Sequence, residues 1–543
     1  MEEARNKNTA GKKLLKGVTI LAVAGIVCKA LGAIFRIPLT NLIGAEGMSY
    51  YGAAYPVYSF FLTLSTAGFP VAISRMVSER TAHGDHRNAY KTYRLSFYVM
   101  LILGVISFFC CFFGAGLIAE KSGNPGAKLS LMAIAPALLF APIASSYRGY
   151  YQGQQNMIPT ALSEIVEQLF RVGVGLTLSF ILAKKSLEYA AAGATFGASA
   201  GLMLATIVLV ILFARAKKNR QMLFEESVTR TESNNSIVKE LFKIAIPITI
   251  GSTIMPLMML IDLSIVMNRL QATGWSHAMS KTLYGLISGF CDPLVNMPIV
   301  FVDAIAISLL PAVTEAFALN RKADLEHNVR TGMKTMMVIA FPCAVGLIVL
   351  AKPILYMLYP LRLDEADLAV SILQILSVGI VTLSVMRTLS SSLQGIGKVN
   401  LPVINLFIGA LVKIAITYVL VGIPSINVNG AAVGSVVAYL TAAVLNYIAL
   451  KKYAGVRFDG VAVFLKPLLS SLIMGVATFG VYWLMNKLTA SNALSALISI
   501  AVSVAVYFVV VFLTRTLTRD EAMLLPGGDK LVRISDKLHL TSN

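Results

Sequence analysis

Two short stretches of the chain, "YYQGQQNMIP" (Tyr150–Pro159) and "SLQGIGKVNLP" (Ser392–Pro402), lie between apolar runs and align through a shared Gln-Gly pair. The pairs begin at Gln152 and Gln394, which are 242 positions apart. Internal repeats of this kind are typical of transporters, in which the substrate path lies between the related halves. The sequence therefore predicts a chain built from two related halves.

The composition is that of a membrane protein. Hydrophobic residues make up 57% of the 543 residues and charged residues only 13%, whereas soluble domains are about 25% charged. The net charge of +19 comes from basic residues scattered among short loops and tails, so it does not indicate a nucleic-acid partner. We expect a polytopic membrane protein.

The cysteines and histidines predict neither a disulfide framework nor a metal site. The five histidines fall in predicted loops or the C-terminal tail. The five cysteines occur in apolar segments without metal-ligand spacing: Cys28, Cys110, Cys111, Cys291 and Cys343. The first apolar segment has a basic flank but no small-residue cleavage site, so we expect it to be retained.

Fourteen apolar runs are long enough to span a membrane, which takes about 20 residues for a hydrocarbon core about 30 Å thick. They are Gly17–Leu39, Tyr50–Val77, Leu95–Ala119, Leu129–Tyr151, Thr160–Ala183, Tyr189–Phe213, Leu241–Leu270, Thr282–Ala316, Thr335–Tyr359, Asp367–Leu393, Leu401–Val421, Val428–Leu450, Val461–Asn486 and Ala493–Thr514. The predicted fold class is therefore an all-α polytopic membrane protein with about 14 transmembrane helices.

Basic residues are distributed unevenly between the two sides of these spans. With an even number of spans and both termini inside, 28 Lys and Arg lie in cytoplasmic segments and 7 in outer segments. Cytoplasmic loops carry the excess of positive charge in membrane proteins. We therefore expect a multi-pass plasma-membrane protein with both termini in the cytoplasm.

The longest polar interruption, Ala214–Glu240, separates the first six spans from the rest. We interpret it as a cytoplasmic linker between two six-helix lobes that form a parallel repeat, since both halves start on the same side. The predicted segments are an N-terminal tail 1–16, an N-lobe 17–213, the linker 214–240, a C-lobe 241–450, two further helices in 451–514 and a C-terminal tail 515–543.

The predicted fifth span contains charges in "SEIVEQLFRVGVG" (Ser163–Gly175). At about 1.5 Å per residue, Arg171 lies about 18 Å past Pro159, near the bilayer centre, where an arginine costs about 2.5 to 3.5 kcal/mol. Glu167 is four residues earlier, which predicts an ion pair along the helix, and Glu164 lies a further turn back. Two interpretations stay open: a structural pair, or a charged wall of a hydrated cavity.

Other cations occur at comparable depth. Lys29 and Arg36 in the first span are seven residues apart, two turns along one helical face, and Lys413 follows Arg171 by the 242-residue repeat. Lysine and arginine bind phosphate oxygens through charge-assisted hydrogen bonds. The set Lys29, Arg36, Glu167, Arg171 and Lys413 therefore predicts a binding site for an anionic substrate.

Three motifs carry a resemblance to a known family: "GFPVAISRMVSE" (Gly68–Glu79), "YRGYYQGQQNMIPTALSEIVEQLFRV" (Tyr147–Val172) and "SSLQGIGKVNLPV" (Ser391–Val403). The chain resembles the polysaccharide biosynthesis and stage V sporulation protein B branch of the multidrug/oligosaccharidyl-lipid/polysaccharide flippase superfamily, which is related to lipid II flippases. The resemblance extends over nearly the whole chain in span number, lobe division and motif order.

The resemblance implies two six-helix lobes around a central cavity, with two additional C-terminal helices. It also implies a transporter rather than an enzyme: a flippase that moves an undecaprenyl-diphosphate-linked sugar, lipid II-like or a polysaccharide repeat unit, across the plasma membrane by alternating access. The implied partners are that substrate, membrane lipids and cell-wall synthesis proteins. Lipid II flippases carry arginines on helices one, two and eight, of which Arg36 is matched here, while span eight has Asp292 and span two is uncharged near Leu62.

The energy source is expected to be a proton or sodium gradient, the membrane potential or substrate consumption, because the sequence has no G-x-x-x-x-G-K-[ST] nucleotide-binding motif. No cofactor is expected. Asp262 in span seven is the best-placed second-half carboxylate for a hard cation. Relatives place a cation site between this span and span eleven, so Asn405 is predicted as its partner in a coupling-cation site.

Two alternatives are less consistent with the residues. A multidrug cation antiporter of the same superfamily would have fewer spans and a more acidic first-half cavity. A membrane glycosyltransferase or ligase would place catalytic acids or histidines in sizeable outer loops, and the predicted outer loops are short.

The predicted topology is testable by cysteine labelling. Single cysteines introduced in the segment Ala214–Glu240 and in the last ten residues should react with membrane-impermeant maleimide only after the cells are opened, because the positive-inside rule places both segments in the cytoplasm. Labelling of either cysteine in intact cells would contradict the predicted orientation.

Overall fold

The computed structural model describes residues 2–225, 232–514 and 516, and these residues form helices and short connections without a strand. Parts of the predicted linker and C-terminal tail, residues 226–231, 515 and 517–543, lie outside the described residues. The first eight α-helices are α1 (Glu2–Thr66), α2 (Phe69–Ala82), α3 (His86–Lys121), α4 (Lys128–Ile134), α5 (Ala137–Gly153), α6 (Ile158–Leu182), α7 (Leu187–Arg215) and α8 (Lys217–Glu225).

The remaining helices follow the segment outside the described residues. They are α9 (Asn234–Ala272), α10 (His277–Gly285), α11 (Asp292–Ala318), α12 (Lys322–Val349), α13 (Ala351–Leu358), α14 (Leu363–Gly395), α15 (Asn400–Val421), α16 (Asn429–Ala454), α17 (Lys466–Thr489) and α18 (Asn492–Leu513). A 3₁₀ turn spans Pro125–Ala127, and π-helical segments span Leu286–Cys291 and Val461–Leu465.

The chain forms two compact units. The N-terminal unit comprises the described residues within Met1–Asn268 and His277–Gly285, and the C-terminal unit comprises those within Arg269–Ser276 and Leu286–Asn543. The N-terminal unit thus continues past the predicted linker and includes most of α9. The lobe boundaries drawn from the sequence stay a prediction.

The predicted fold class is confirmed. Thirteen segments of the described chain are long and apolar enough to cross a membrane, and the first of them, Val27–Ala82, contains both of the first two predicted spans. The protein is therefore an all-α, multi-pass membrane protein, and a total of 14 transmembrane helices is consistent with these segments.

The connection between the first two spans is tighter than the sequence suggested. The predicted spans end at Leu39 and resume at Tyr50, but α1 continues through this stretch with a kink at Gly44, whose backbone angles are φ 65° and ψ −174°. Only glycine adopts this conformation readily, because it has no Cβ atom. One non-helical residue therefore replaces the expected loop.

The second predicted span is interrupted where α1 ends and α2 begins. The Gly68 amide donates a hydrogen bond of 3.2 Å to Thr249 Oγ1 on α9. A Cβ atom at Gly68 would lie 2.1 Å from the backbone oxygen of Ala245. The glycine in this motif therefore permits the close approach of α9 within the N-terminal unit.

Small residues bring α6 and α7 into close backbone contact. Gly193, Gly197 and Gly201 recur at every fourth position of α7, the spacing by which membrane helices pack closely. A Cβ atom at Gly197 would lie 2.5 Å from the backbone oxygen of Arg171, and one at Gly201 would lie 2.4 Å from that of Glu167. The backbone of the charged helix is thus fixed by this contact.

The C-terminal unit repeats this arrangement in the helix that carries Lys413. A Cβ atom at Gly409 on α15 would lie 2.6 Å from the backbone oxygen of Ala438 on α16, and one at Gly434 would lie 3.4 Å from that of Lys413. In each unit, a helix with a central cation therefore packs through small residues against the helix that follows it.

We expect the substitution Gly197→Val to reduce membrane abundance and lower the thermal unfolding midpoint of the purified protein. The added side chain would overlap the α6 backbone, and overpacking of this kind costs about 1 to 3 kcal/mol. The matched control is Gly173→Val on α6, where a Cβ atom has no neighbour within 4 Å. An equal loss of abundance and thermal stability in both variants would show that the effect does not come from the contact between α6 and α7.

Candidate substrate-binding site

A row of tyrosines on α1 meets the central arginine of α6. Tyr51, Tyr55 and Tyr58 follow one another, with ring centroids 4.8 Å apart for the first pair and 6.2 Å for the second. The Arg171 guanidinium donates a hydrogen bond to the Tyr55 hydroxyl and lies 5.2 Å from the centroid of its ring. Among the described residues, Arg171 is thus held by a tyrosine hydroxyl and ring and not by a salt bridge to a carboxylate.

A second arginine joins α5 to α6. Arg148 donates through Nε to Ser163 Oγ and through a terminal nitrogen to Glu167 Oε2, both at 2.9 Å. The Arg148 and Glu167 side chains are only 15% and 22% exposed. Partial burial strengthens such a charge-assisted pair, so this bridge fixes the relative position of the two helices.

The predicted ion pair between Glu167 and Arg171 is wrong: within the described chain, each residue instead has a partner on another helix. Arg148 reaches two acceptors one turn apart on α6, which holds the Glu167 carboxylate toward α5. Arg171 reaches toward α1. The spacing along one helix allowed the pair, but contacts between helices decided the partners.

The first half of α1 packs along α6. Cys28 Sγ donates to the backbone oxygen of Glu164 at 3.5 Å. A Cβ atom at Gly175 would lie 2.9 Å from the Phe35 ring. Successive turns of the two helices are therefore in contact from Cys28 to Phe35.

This packing determines where the predicted cations of α1 lie. Lys29 directly follows Cys28 and Arg36 directly follows Phe35, the two α1 residues that contact α6. Lys29 is exposed and Arg36 is half-buried. Arg36 and Arg171 both lie within electrostatic range of the Tyr51 side chain. Three helices of the N-terminal unit thus contribute the cation cluster, which we define as Lys29, Arg36, Arg148 and Arg171, together with the carboxylates Glu164 and Glu167.

The other predicted site residues lie on α9 and α15 rather than on α1, α5 and α6. Lys413 is a half-buried residue of the C-terminal unit. Asp262 belongs to the N-terminal unit and Asn405 to the C-terminal unit. Asn405 is buried and donates to Asn446 at 2.8 Å, and Asn446 donates to Ser390 at 3.0 Å. The described residues contain no group of three or more His, Cys, Asp or Glu that could hold a metal ion.

Sequence reasoning missed Arg148 and the tyrosine row as parts of this site. The spacing of Tyr51, Tyr55 and Tyr58, four and then three residues, marks one helical face, and Arg148 lies within the stretch that begins at Tyr147. Both features are present in the sequence, but only the packing of α1 and α5 against α6 joins them to Arg171.

The fold is that of the multidrug/oligosaccharidyl-lipid/polysaccharide flippases and transporters. The solved structure of the lipid II flippase MurJ in an inward closed conformation superimposes with a TM-score of 0.64 at 17% identity, covering 91% of this chain and 98% of that one. An inward-facing multidrug resistance MATE family transporter superimposes with a TM-score of 0.66 at 15% identity, covering 79% and 94%.

The chain belongs to the polysaccharide biosynthesis protein family, whose model matches residues 14–317, more than half of the sequence. The MatE family model matches residues 247–419. Lipid II flippase MurJ of Bacillus subtilis is 28% identical over 87% of this chain and 89% of its own length. Stage V sporulation protein B of Bacillus subtilis is 28% identical over 82% and 84%.

The bridge between Arg148 and Glu167 predicts a charge-exchange result. Arg148→Gln or Glu167→Gln should reduce abundance, since breaking a partly buried pair costs up to about 3 kcal/mol. The exchanged double variant Arg148→Glu with Glu167→Arg should recover most of it, because the Ser163 hydroxyl can also donate to a carboxylate. Abundance and unfolding midpoint are measured in membranes and detergent.

The matched control for this experiment is the exposed pair of Arg330 and Glu326, at 3.1 Å on α12. Arg330→Gln should change stability by at most about 0.5 kcal/mol, as is usual for exposed pairs. A double variant of Arg148 and Glu167 that is no more abundant than the single variants would contradict the bridge.

Proposed function

We propose that the protein is a flippase that moves an undecaprenyl-diphosphate-linked sugar precursor, lipid II-like or a polysaccharide repeat unit, across the plasma membrane by alternating access. The observation that carries the proposal is the cation cluster of the N-terminal unit, in which four cations accompany two carboxylates inside a membrane-spanning fold. The name of one relative, a lipid II flippase, supports the same substrate class.

The headgroup is the part of such a substrate that cannot cross the membrane unaided. Charged phosphates and sugar hydroxyls cannot cross about 30 Å of hydrocarbon unless other groups replace their hydration. Arginine and lysine supply charge-assisted hydrogen bonds to phosphate oxygens, and tyrosine hydroxyls supply further donors to sugars. A site that combines these groups provides the replacement.

The residues of the cluster divide into two roles. Arg36 on α1 and Arg171 on α6 bind the diphosphate. Lys29 is exposed in a membrane-spanning segment, where a cation facing hydrocarbon would be costly, so it faces water and attracts the anionic headgroup. Arg148 is engaged with Glu167 and positions α5 and α6. Lys413 provides the corresponding cation of the C-terminal unit.

The proposal includes orientation and partners. Both termini lie in the cytoplasm, in line with the excess of basic residues in the segments on that side. The partners are the lipid-linked sugar, membrane lipids and cell-wall synthesis proteins. Transport changes no covalent bond of the substrate, so the protein is not an enzyme and uses no cofactor.

Coupling to a proton or sodium gradient, or to the membrane potential, is part of the proposal. Asp262 is the carboxylate assigned to the coupling cation, with Asn405 as a further oxygen ligand, because carboxylate and amide oxygens suit hard cations. Each elementary charge moved across 100 mV contributes about 2.3 kcal/mol, so a single cation supplies a useful driving force.

A second candidate is a multidrug cation antiporter, favoured by the match of residues 247–419 to the MatE family. A cationic drug would meet electrostatic repulsion at Arg36 and Arg171, whereas an anionic headgroup is attracted there. The charge of the cluster therefore favours the flippase.

We expect Arg171→Gln and Arg36→Gln to lower translocation of a lipid-linked sugar in proteoliposomes at least tenfold, with protein abundance close to wild type. Glutamine keeps a donor for Tyr55 but removes the charge that binds phosphate. The coupling is tested by repeating the assay on wild type and Asp262→Asn with an imposed sodium gradient, proton gradient or membrane potential. If both proteins respond equally to the gradients, Asp262 does not bind the coupling cation.

The control is Lys487→Gln, a cation of α17 that lies 3.6 Å from the Trp483 ring centroid and should translocate at the wild-type rate. Unchanged translocation in the two arginine variants, or a decrease only in proportion to abundance, would contradict the assigned site. Efflux of organic cations without lipid translocation would favour the antiporter.

A further inference from the structure

The C-terminal unit contains a cavity of about 430 Å³ that the proposed transport does not use. Its walls come from α12, α14 and α16 and from the segment that precedes α17. Apolar side chains form most of the lining, including Met333, Val385, Leu389, Ala443 and Phe464. These residues belong to, or pack against, the largest hydrophobic cluster described in this unit.

The cavity is open toward the apolar surface of the unit. Leu440 and Val444, two lining residues one turn apart on α16, are about half exposed, at 48% and 49%. Polar groups in the lining are few, and the Thr382 hydroxyl donates to the Gly379 carbonyl at 3.2 Å. Apolar cavities do not hold water and do accept hydrocarbon ligands, and in a membrane the hydrocarbon at this surface is lipid.

Two cations lie close in the chain to lining residues at one end of the cavity. Tyr447 of the lining is followed one turn later by Lys451 at the end of α16. Arg457 precedes the lining residue Phe458, and its carbonyl accepts a hydrogen bond of 3.3 Å from Arg330. Lysine and arginine at this position can bind a phosphate.

The carboxylates at the same end have other partners. Glu326 pairs with Arg330 at 3.1 Å. Asp459 accepts hydrogen bonds from the backbone amides of Val461 and Ala462 at 3.0 and 3.3 Å. Within the described residues neither carboxylate forms a salt bridge with Lys451 or Arg457, so these two cations can contact an anionic headgroup.

From this geometry we propose that the cavity binds one acyl chain of an anionic glycerophospholipid, whose phosphate is held by Lys451 and Arg457. The apolar lining selects a hydrocarbon chain, and the cationic rim selects an anionic headgroup. The volume lies at the low end of the range of about 300 to 1,000 Å³ for ligand pockets, which suits a single acyl chain rather than a long polyprenyl chain. The site belongs to the C-terminal unit, and its occupant is a membrane lipid rather than the transported substrate.

The proposal is tested by photo-crosslinking of the full-length protein in nanodiscs. A phosphatidylglycerol with a diazirine near the end of one acyl chain should label peptides that contain 381–389, 440–447 and 458–464, and unlabelled phosphatidylglycerol in excess should suppress the labelling. The same diazirine on phosphatidylcholine should label these peptides at least threefold less. The double variant Lys451→Gln with Arg457→Gln should remove this preference.

A cavity-blocking variant provides the second measurement. Gly460 lines the cavity and has φ −60°, and a Cβ atom added there would have no neighbour within 4 Å. Gly460→Leu should therefore fill the space without backbone strain and cut labelling at least fivefold. Gly480→Leu on α17, where a Cβ atom also has no neighbour within 4 Å, should leave labelling unchanged.

Three results would overturn the proposal. They are equal labelling of Gly460→Leu and wild type, the absence of a preference for phosphatidylglycerol over phosphatidylcholine in the wild-type protein, and preferential labelling of the cavity by a diazirine-bearing polyprenyl phosphate. The wild-type competition experiment remains decisive if Gly460→Leu is unstable. Lipid labelling is independent of sugar translocation, so failure here leaves the proposed flippase function in place.

Discussion

The cost of holding ionised side chains inside a membrane-spanning unit is the constraint on which the N-terminal unit depends. Arginine and glutamate within a hydrocarbon layer are unfavourable unless each finds a partner or water. Here the partners come from neighbouring helices: Arg148 on α5 binds Glu167 on α6, and Arg171 on α6 binds Tyr55 on α1. The same contacts that satisfy the charges therefore determine which helices are neighbours.

Close backbone packing holds the helix that carries these charges in one position. Gly197 and Gly201 hold α7 against the backbone of Arg171 and Glu167, so α6 cannot rotate without separating from α7. A fixed backbone limits the directions in which its charged side chains can extend, which favours a preorganised site. The Arg148 bridge uses one cation for structure, whereas Arg171 is held by Tyr55 without a salt bridge among the described residues, which is why it is the cation proposed for ligand binding.

The two units present different chemistry to lipid-derived molecules. The N-terminal unit concentrates cations, carboxylates and tyrosine hydroxyls, a combination suited to a hydrated anionic headgroup. The C-terminal unit offers an apolar cavity with cations at one end, which suits the chain and phosphate of a resident lipid.

The sequence by itself determined the all-α membrane fold, because apolar runs long enough to cross a bilayer are local properties of the chain. It also marked Arg171 and Glu167 as charges within a membrane span, but not their partners, since periodicity along one helix says nothing about the helix next to it. Joining Arg148 and Tyr55 to the site required the packing of α5 and α1 against α6. Likewise, the single-residue connection at Gly44 and the cavity of the C-terminal unit arise from backbone conformation and from gaps between helices, which only the tertiary structure decides.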